Sequence, residues 1–456
     1  MLGRPGLTWS SEAPIEVSDL VVAMTDNLME AGHLTERILS LLTSLDWTSD
    51  LAGLQRSAAL GDPQHVSTIQ LLHADIRQNL ADILYCYSAQ SGLGARSAVK
   101  LMEHLSKLTP NTASGALDDV NLALVMAALA SFDVSAAAGS EDENNVPMVK
   151  DKDFIGDVSR ELETGRHGGR RWENTGLLSL LQLSWSMSLA GLRTGSLGVP
   201  HAASHLEEDE MFVDMALENK VFHLVPGLVF SASSFAKEEF YQRRMHTIVT
   251  DFLTLMPLKI KELRNRADDS ARNAVMHEQE GISYNVPLAG QHFGQLLVLI
   301  SQLYTGDPLD TCLADVYWCQ DTTHVSDPKQ VALYKFVRLA GDLLMPSLYV
   351  PYINMLAGLA DTPKAAVQCF SLLKQNSAAG TSTVSLDHFF ASLSQYYSNL
   401  GQFGQTSARP DMTIYRGSQP HTRGISPQEI AGLSSVMDLV TVLASRSEQV
   451  IYKNIW

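Results

Sequence analysis

The sequence predicts an all-α protein, an irregular α-solenoid of about sixteen helices with no substantial sheet. Apolar residues recur every three or four positions along most of the chain, as at Val21, Met24 and Leu28. Strands never alternate with helices, which excludes doubly wound and barrel folds. A helical chain of 456 residues is too long to fold around one spherical core. Chains of this kind usually fold as stacked helical pairs. No fixed-period repeat is legible, so irregular pairs of the HEAT or armadillo type are favoured over tetratricopeptide or ankyrin arrays.

The charge balance argues against a nucleic-acid-binding protein. The chain carries 33 basic and 50 acidic side chains, which gives a formal net charge of −17. Phosphate binding needs concentrated lysine and arginine, so no direct contact with nucleic acid is expected. Hydrophobic residues make up 45% of the chain and charged residues 18%, which is typical of a folded protein and excludes global disorder.

Neither a transmembrane segment nor a disulfide framework is expected. The longest apolar run, residues 122–132, is much shorter than the about 18 residues that a spanning helix needs. The first residues lack the apolar core of a signal peptide. The cysteines are few and widely spaced, which fits a reducing compartment such as the cytosol or nucleus. They are Cys86, Cys312, Cys319 and Cys369.

Three parts are predicted along the chain. Residues 1–163 hold amino-terminal helical repeats, residues 164–306 form a central helical region, and residues 307–456 hold further helical pairs. Exposed connections are expected at residues 139–153, which are acidic and contain proline, and at the glycine-rich residues 164–171.

A long helical pattern occupies residues 245–279 of the central region. Pro257 lies near its middle and predicts a kink, because proline lacks a backbone donor and clashes with the preceding turn. An apolar stripe predicts that a neighbouring helix covers one side; its residues are Ile248, Phe252, Leu255, Met256, Leu263, Ala267 and Ala274. Ion pairs four residues apart predict a solvated opposite face, namely Glu262 with Arg266, Arg264 with Asp268, and Asp268 with Arg272. The pattern therefore indicates a structural rod, since an anion-binding arm would keep one sign of charge.

Capping signals predict where the later helices begin. An Asp-Pro pair predicts a helix over residues 308–318, and an Asp-Thr-Pro triplet predicts one over residues 363–375. A Ser-Pro-Gln-Glu capping box predicts a helix over residues 427–443.

One segment fits either a strand or a helix. Residues 183–189 alternate strictly between apolar residues and serine, as a half-buried strand does. They lie, however, within residues 175–192, which contain no helix breaker between Gly176 and Gly191. The length of this longer segment favours a helix.

No metal site or cofactor is predicted. His201 and His205 have the spacing of two imidazoles that share a metal, but a third ligand would have to come from the acidic residues 207–210. Cys312 and Cys319 are about two helical turns apart, too far for a shared tetrahedral ion. Both cysteines are expected to be buried as small apolar residues.

No catalytic or anion-binding motif is found either. The glycine-rich residues 191–198 lack the Lys-Ser/Thr of a P-loop and follow no strand, so a loop between helices is expected. Arg166, Arg170 and Arg171 lie among glycines and are expected in a solvated linker. The spacing of serine, histidine and aspartate singles out no triad. An enzyme and a small-molecule substrate are therefore not predicted.

Aromatic clusters on helix faces are the candidate partner-binding residues. Most should lie between helices in the core, but some can line grooves between helical pairs where a peptide docks. The candidate protein-binding residues are Phe240, Tyr241, Tyr317, Trp318, Tyr349, Tyr352, Phe389 and Phe390. Two further aromatic pairs are Tyr85 with Tyr87 and Tyr396 with Tyr397.

Several long segments carry a resemblance to a known family. Residues 220–272, which include KVFHLVPGLVF and MPLKIKELRNRADDSAR, resemble the large inner-ring scaffold nucleoporins, the nucleoporin 205 family of the nuclear pore complex. The likeness resumes at residues 335–360, at CFSLLK (residues 369–374) and at SRSEQ (residues 445–449), and it covers nearly the whole chain.

The resemblance implies a structural protein of the nuclear pore in the nuclear envelope. It implies an α-helical solenoid without enzymatic activity, whose partners are other inner-ring nucleoporins and linear motifs of linker nucleoporins. Members of the family are several times longer, so the chain resembles an amino-terminal portion, truncated at its carboxy end. The family's binding residues map onto no motif of this sequence.

A transport receptor of the importin or exportin type is the rival hypothesis. Such a receptor is also an acidic solenoid, so the net charge of −17 fits both. The two differ in their exchange at the nuclear rim, which should be slow for a scaffold and take seconds for a receptor.

Overall fold

The structure is a computed structural model, and every regular element that it describes is a helix. It describes residues 15–56, 63–109, 114–134, 146–163, 170–195, 203–280, 285–307, 309–318, 327–379, 383–406 and 427–446. No strand occurs among these residues, and the helices pack mainly against near neighbours in the sequence. The predicted all-α solenoid is confirmed.

The chain divides between Leu255 and Met256 into two compact units. We call them the amino-terminal unit and the carboxy-terminal unit. The division coincides with the proline break that the sequence predicted within residues 245–279. The division into residues 1–163, 164–306 and 307–456 stays a prediction.

The amino-terminal unit contains helices α1 to α13. They are α1 (Ile15–Glu30), α2 (Leu34–Ser44), α3 (Trp47–Arg56), α4 (Pro63–Ser91), α5 (Ala95–Leu105), α6 (Asp119–Ser131), α7 (Pro147–Lys150), α8 (Phe154–Leu162), α9 (Thr175–Thr194), α10 (Ala203–Leu206), α11 (Asp209–Glu218), α12 (Val221–Val225) and α13 (Glu239–Leu255). A π-helical turn, Pro226–Phe230, and a 3-10 turn, Phe235–Lys237, precede α13. Helix α4 packs on α6, and α9 packs on α11 and α13.

The carboxy-terminal unit contains helices α14 to α20. They are α14 (Pro257–Gln279), α15 (Leu288–Tyr304), α16 (Pro328–Gly341), α17 (Pro346–Leu359), α18 (Pro363–Ala379), α19 (Leu386–Thr406) and α20 (Pro427–Arg446). Helix α15 lies between α14 and α17, and α17 in turn packs on α20.

The ambiguous serine-rich segment is helical, as its length predicted. It lies within α9, which is buried on almost every side. The serine hydroxyls are satisfied by backbone carbonyls, since Ser186 donates to the carbonyl of Asp209 and Ser179 to that of Gly176. A polar alternation therefore does not require a solvent-facing side here, because helix carbonyls accept the hydroxyl hydrogens.

The predicted long helix is two helices. Helix α13 ends at Leu255 and α14 begins at Pro257, where proline is tolerated because the first helical turn needs no donor. Most of the predicted apolar stripe is buried: Ile248, Phe252, Met256, Leu263 and Ala267.

Two of the three predicted ion pairs on this segment form. They are Arg266 with Glu262 and Arg264 with Asp268. The third prediction was wrong, because Arg272 pairs with Asp269, three residues before it, and not with Asp268.

The prediction of a helix over residues 308–318 was also wrong. Among residues 309–318, which are the described part of this segment, the only regular structure is a 3-10 turn, Leu313–Tyr317. The Asp307 carboxylate accepts bonds from the backbone of Cys312 and the hydroxyl of Thr311, which folds the chain back instead of opening a helix. Asp310 and Cys312 have φ of 49° and 53°, which is incompatible with an α-helix. Cys312 is consequently exposed, contrary to the predicted burial.

The other capping predictions agree with the structure where it describes them. Thr362 accepts a hydrogen bond from the amide of Ala365 at 3.1 Å, and α18 begins at Pro363. Helix α20 begins at Pro427 as predicted, whereas its expected cap, Ser426, lies outside the described residues.

Arg264 connects three helices of the carboxy-terminal unit. Its side chain on α14 is only 7% exposed, and its guanidinium lies 5.5 Å from the ring centre of Phe293 on α15. It donates to the carbonyls of Ala340 at 2.6 Å and Asp342 at 2.8 Å, at the end of α16. The carbonyls at a helix end have no partner within the helix, so this arginine caps α16 from a different helix.

His292 on α15 makes the stability of the carboxy-terminal unit depend on pH. Burial lowers its pKa, and the charge of Arg266 lowers it further. The unfolded chain, with a pKa of about 6.5 at this residue, then binds the proton more readily. Stability is therefore full above about pH 6.5 and decreases as the pH falls towards the lower pKa of the folded state.

We expect His292→Gln to reduce this loss on acidification. One proton contributes at most ~1.4 kcal/mol per pH unit to the free energy of unfolding. Urea unfolding at about pH 7.5 and 5.5 measures the effect. The exposed His388→Gln in the same unit is the control, and an equal change in both variants would contradict the assignment to His292.

Candidate protein-binding groove

An apolar groove lies between helices α17, α19 and α20 of the carboxy-terminal unit, and we call it the tyrosine groove. Its volume is about 390 Å³. It is lined by Leu344, Pro346, Tyr349, Val350, Thr383, His388, Phe389, Ser392, Leu393, Tyr396, Glu429, Gly432, Leu433 and Val436. A cavity of this size, open to solvent and mostly apolar, fits a few side chains of a peptide.

The spacing of residues on α19 builds one wall of the groove. The hydroxyl of Ser385 accepts a hydrogen bond from the amide of His388 at 3.2 Å, which caps the start of the helix. Phe389, Leu393 and Tyr396 follow at intervals of four and three residues and therefore share one side of α19. Phe389 is only 1% exposed and forms the floor.

The opposite wall of the groove is formed by α20. A Cβ placed on Gly432 would lie 3.6 Å from the ring of Tyr349, an ordinary van der Waals distance, so the ring lies beside α20. Leu433 and Val436 complete this wall, and Val436 is buried.

The two tyrosine hydroxyls at the groove stay protonated at neutral pH. Burial raises the pKa of Tyr349 to about 12, and the nearby Tyr396 adds to the shift. Burial also raises the pKa of Tyr396, with a further contribution from the charge of Glu429. The groove thus combines an apolar floor with two hydroxyl groups and a carboxylate, which can bind the backbone and apolar side chains of a linear motif.

Two of the residues considered for metals and anions lie next to carboxylates in the structure. His205 lies 3.2 Å from a carboxylate oxygen of Glu208, and Arg170 lies 2.6 Å from Glu161. The described residues contain no group of three or more potential metal ligands. His201, Cys319, Arg166 and residues 196–198 lie outside the described part of the chain. The loop predicted over residues 191–198 was wrong in its first half, because residues 191–194 form the end of α9.

None of the helices in the described part of the chain is both long and apolar enough to cross a membrane.

Comparison with known proteins gives a family match along nearly the entire chain. The family model described as "Nuclear pore complex scaffold, nucleoporins 186/192/205" matches residues 5–455. The chain belongs to this family of nuclear pore scaffold nucleoporins. The resemblance inferred from residues 220–272 and 335–360 is thereby confirmed.

Curated relatives place this scaffold nucleoporin chain near the nucleoporin 205 members. It is 36% identical over 473 residues to the nuclear pore complex protein Nup205 of Homo sapiens, covering 98% of this chain and 23% of the relative. It is 31% identical over 457 residues to Nup205 of Drosophila melanogaster, covering 97% and 22% respectively. The chain therefore spans less than a quarter of the length of these relatives.

The structure of the scaffold nucleoporin chain brings two of the eight candidate aromatic residues into the groove. Tyr349 is half-buried at its wall, and Phe389 forms its floor. Phe390, the next residue, is 50% exposed and does not line the groove.

Three other candidates lie in the core of the carboxy-terminal unit. Tyr317 bonds to the hydroxyl of Tyr304 at 3.1 Å, and the Trp318 indole donates to the carbonyl of Leu359 at 2.8 Å. Tyr352 donates to the carbonyl of Val337 at 3.0 Å. Tyr317, Trp318 and Tyr352 are all buried, so in this conformation they hold helices together.

The last two of the eight candidate residues, Phe240 and Tyr241, lie in the amino-terminal unit. Tyr241 is buried and packs edge to face against Tyr85, with ring centres 5.0 Å apart. Phe240 beside it is half-buried.

Three groove residues are not aromatic and were therefore not among the candidates predicted from the sequence: Leu393, Leu433 and Glu429. A sequence signal exists for the first, because Leu393 continues the helical spacing of Phe389 and Tyr396. Nothing comparable exists for the other two, which lie on α20 and join the groove only through the packing of α17 on α20.

Proposed function

We propose that the chain serves in a structural scaffold subunit of the nuclear pore complex inner ring, at the nuclear envelope. The family match over residues 5–455 carries the proposal, because it spans almost every residue of the chain. In this role the protein supports nucleocytoplasmic transport by holding other nucleoporins in place, without catalysing a reaction.

Its partners are other inner-ring and linker nucleoporins. The tyrosine groove supports this part of the proposal, since its size and lining suit a short linear motif of an otherwise disordered protein. The importin-like or exportin-like receptor is disfavoured, because the relatives are described as nuclear pore complex proteins.

Proximity labelling from the tagged full-length protein in its native cells tests the function. Enrichment of inner-ring nucleoporins with few transport cargoes is the expected result. Enrichment of many cargoes together with the small GTPase of nuclear transport would contradict the scaffold role and favour a receptor.

The groove itself is tested by two neighbouring tyrosines. Tyr396 lines the groove, whereas Tyr397 is 81% exposed and does not. We expect Tyr396→Ala to weaken recovery of at least one nucleoporin about tenfold, the ~1.4 kcal/mol typical of an interface hot spot.

Tyr397→Ala is the matched control and should leave that recovery within about twofold. Quantitative mass spectrometry of both variants measures the difference. If every nucleoporin is recovered equally with both, the groove is not a docking site, whether or not the protein is a scaffold.

A further inference from the structure

A second apolar surface lies on helix α4 of the amino-terminal unit, far along the sequence from the tyrosine groove. Four residues of α4 form it, and we call them the α4 stripe: Ile69, Leu72, Ile76 and Ile83, which are 39%, 58%, 43% and 50% exposed. Their spacing of three, four and seven residues places them on one side of the helix. Single exposed apolar residues are common, but four on one side of a helix indicate an interaction surface.

The α4 stripe is not the side of the helix that holds the fold together. Ala81, Leu84 and Ser88 are the buried residues of α4, and they face α6. Viewed along the helix axis, these buried residues are rotated by roughly a third of a turn from the stripe. The amino-terminal unit therefore already has a core on α4, and the stripe is additional to it.

A groove of about 770 Å³ runs beside the stripe, and we call it the α4 groove. Helix α4 forms one wall, the turn between α2 and α3 forms another, and the first residues of α6 close it. Its lining includes Trp47, His73 and Arg77. His73 is four residues after Ile69 and three before Ile76, so it joins the groove to the stripe.

The α4 groove has an excess of negative charge. Asp46, Asp75 and Asp119 line it. Burial opposes the ionisation of Asp119, but hydrogen bonds from Ser233 and Ser234 outweigh it and lower the pKa of its carboxyl.

The arginine in the lining offsets only one of these three negative charges. The guanidinium of Arg77 donates to the backbone carbonyls of Leu42, at 2.7 Å, and Leu45 at the end of α2. It is committed to capping that helix.

One buried polar atom in the α4 groove lacks a hydrogen bond. The Nε2 atom of His73 is shielded from solvent and forms no hydrogen bond with the described residues. Its nearest carboxylate oxygen, on Asp50, is 3.4 Å away, and the ring of Trp47 packs against it with centres 5.7 Å apart. An unsatisfied buried nitrogen is costly, and a ligand group that reaches the groove would satisfy it.

We propose that this surface docks a basic amphipathic helix of another protein. The apolar side of that helix covers the α4 stripe, and its lysine or arginine side chains reach the carboxylates of the α4 groove. From Ile69 to Ile83 the stripe measures about 21 Å at 1.5 Å per residue, which matches a partner helix of roughly four turns.

Charge decides between this partner and the alternatives. Nucleic acid and anionic lipid are repelled by the same carboxylates that attract a basic helix. A second copy of this chain would place Asp75 and its neighbours opposite their own equivalents, because a two-fold interface pairs a surface with itself.

The probe for the experiment is a synthetic 14-residue helix with leucine on one side and lysine on the other, labelled with a fluorophore. Its affinity for the full chain is measured by fluorescence anisotropy at low salt, with a peptide in which glutamate replaces lysine as the charge control. We expect the lysine peptide to bind at least about tenfold more tightly than the glutamate peptide.

A matched pair of variants tests the site. Leu72→Ser combined with Ile76→Ser should weaken binding of the lysine peptide about tenfold or more. Leu71→Ser is the control, because Leu71 is 66% exposed on the same helix but lies on another side, and it should change the affinity less than about twofold. The substituted side chains are exposed, so circular dichroism should show both variants folded.

Three results would overturn the proposal. One is equal binding of the lysine peptide to the double variant and to the Leu71→Ser control. Another is equal binding of the glutamate peptide to the unsubstituted chain. The last is a dimer in sedimentation velocity that the double variant abolishes, which would assign the stripe to a second copy. None of these outcomes bears on the tyrosine groove or on the scaffold role.

Discussion

Replacing Arg264 by alanine is expected to lower the free energy of unfolding of the carboxy-terminal unit by about 3–5 kcal/mol. The guanidinium is buried and pairs with Asp268, whose carboxylate is only 18% exposed. Alanine leaves that charge without its partner and removes the donor from the carbonyls of Ala340 and Asp342. It also removes the cation from the face of Phe293.

Amide hydrogen exchange of the full chain measures this loss of stability helix by helix. Amides of α14 and α16 should exchange much faster in the variant than in the unsubstituted chain. Arg266→Ala is the control, because Arg266 lies two residues away on the same helix, is 48% exposed and pairs with Glu262 at the surface. Its loss should lower the free energy by less than ~1 kcal/mol. Similar exchange in the two variants would show that Arg264 does not cap α16.

Trp185→Ala is expected to destabilise the amino-terminal unit by about 3–5 kcal/mol. The side chain is fully buried in α9 and packs edge to face on Phe132, with ring centres 5.2 Å apart. Its indole nitrogen donates to the hydroxyl of Ser159 at 3.1 Å, which connects α9 to α8. Alanine creates a cavity at the meeting point of α6, α8 and α9 and leaves the hydroxyl without this donor.

A graded series separates the packing of Trp185 from its hydrogen bond. Trp185→Phe keeps most of the aromatic volume and loses the donor, so it should lower the free energy of unfolding by only about 1–2 kcal/mol. Urea denaturation followed by far-ultraviolet circular dichroism compares the two variants. Equal losses would mean that the hydrogen bond, and not the buried volume, determines the stability at this position.

The helical character of the chain could be predicted because its causes are local. The three-to-four periodicity, the break at Pro257 and the Thr362 cap each act within one or two turns. The same local reasoning failed at residues 308–318. An aspartate before a proline is compatible with a helix cap and with a tight turn, and the left-handed conformations of Asp310 and Cys312 decide for the turn.

The candidate site was only partly predictable, because neighbouring residues of a helix point in different directions. Phe389 and Phe390 are adjacent in sequence, yet one is buried and the other is half-exposed. Tyr396 and Tyr397 differ in the same way, since consecutive side chains diverge by about 100°. A cluster of aromatic residues in sequence is therefore not a cluster in space.

Close helix packing was the other feature that the sequence did not reveal. A Cβ on Gly358 of α17 would lie 2.8 Å from the backbone oxygen of Ser301 on α15, so only glycine fits at this crossing. At the end of α16, Gly341 leaves room for the hydroxyl of Tyr352 in the same way. These contacts depend on how whole helices are placed, which local patterns do not encode.

The exposed α4 stripe has a consequence for the colloidal behaviour of the chain. The net charge of −17 repels neighbouring molecules at low ionic strength and keeps their apolar stripes apart. At about 1 M salt the Debye length contracts to ~3 Å, so the repulsion between two approaching molecules is screened. The chain should therefore salt out through its own apolar surface, and a second copy should compete with a basic partner helix only in concentrated electrolyte.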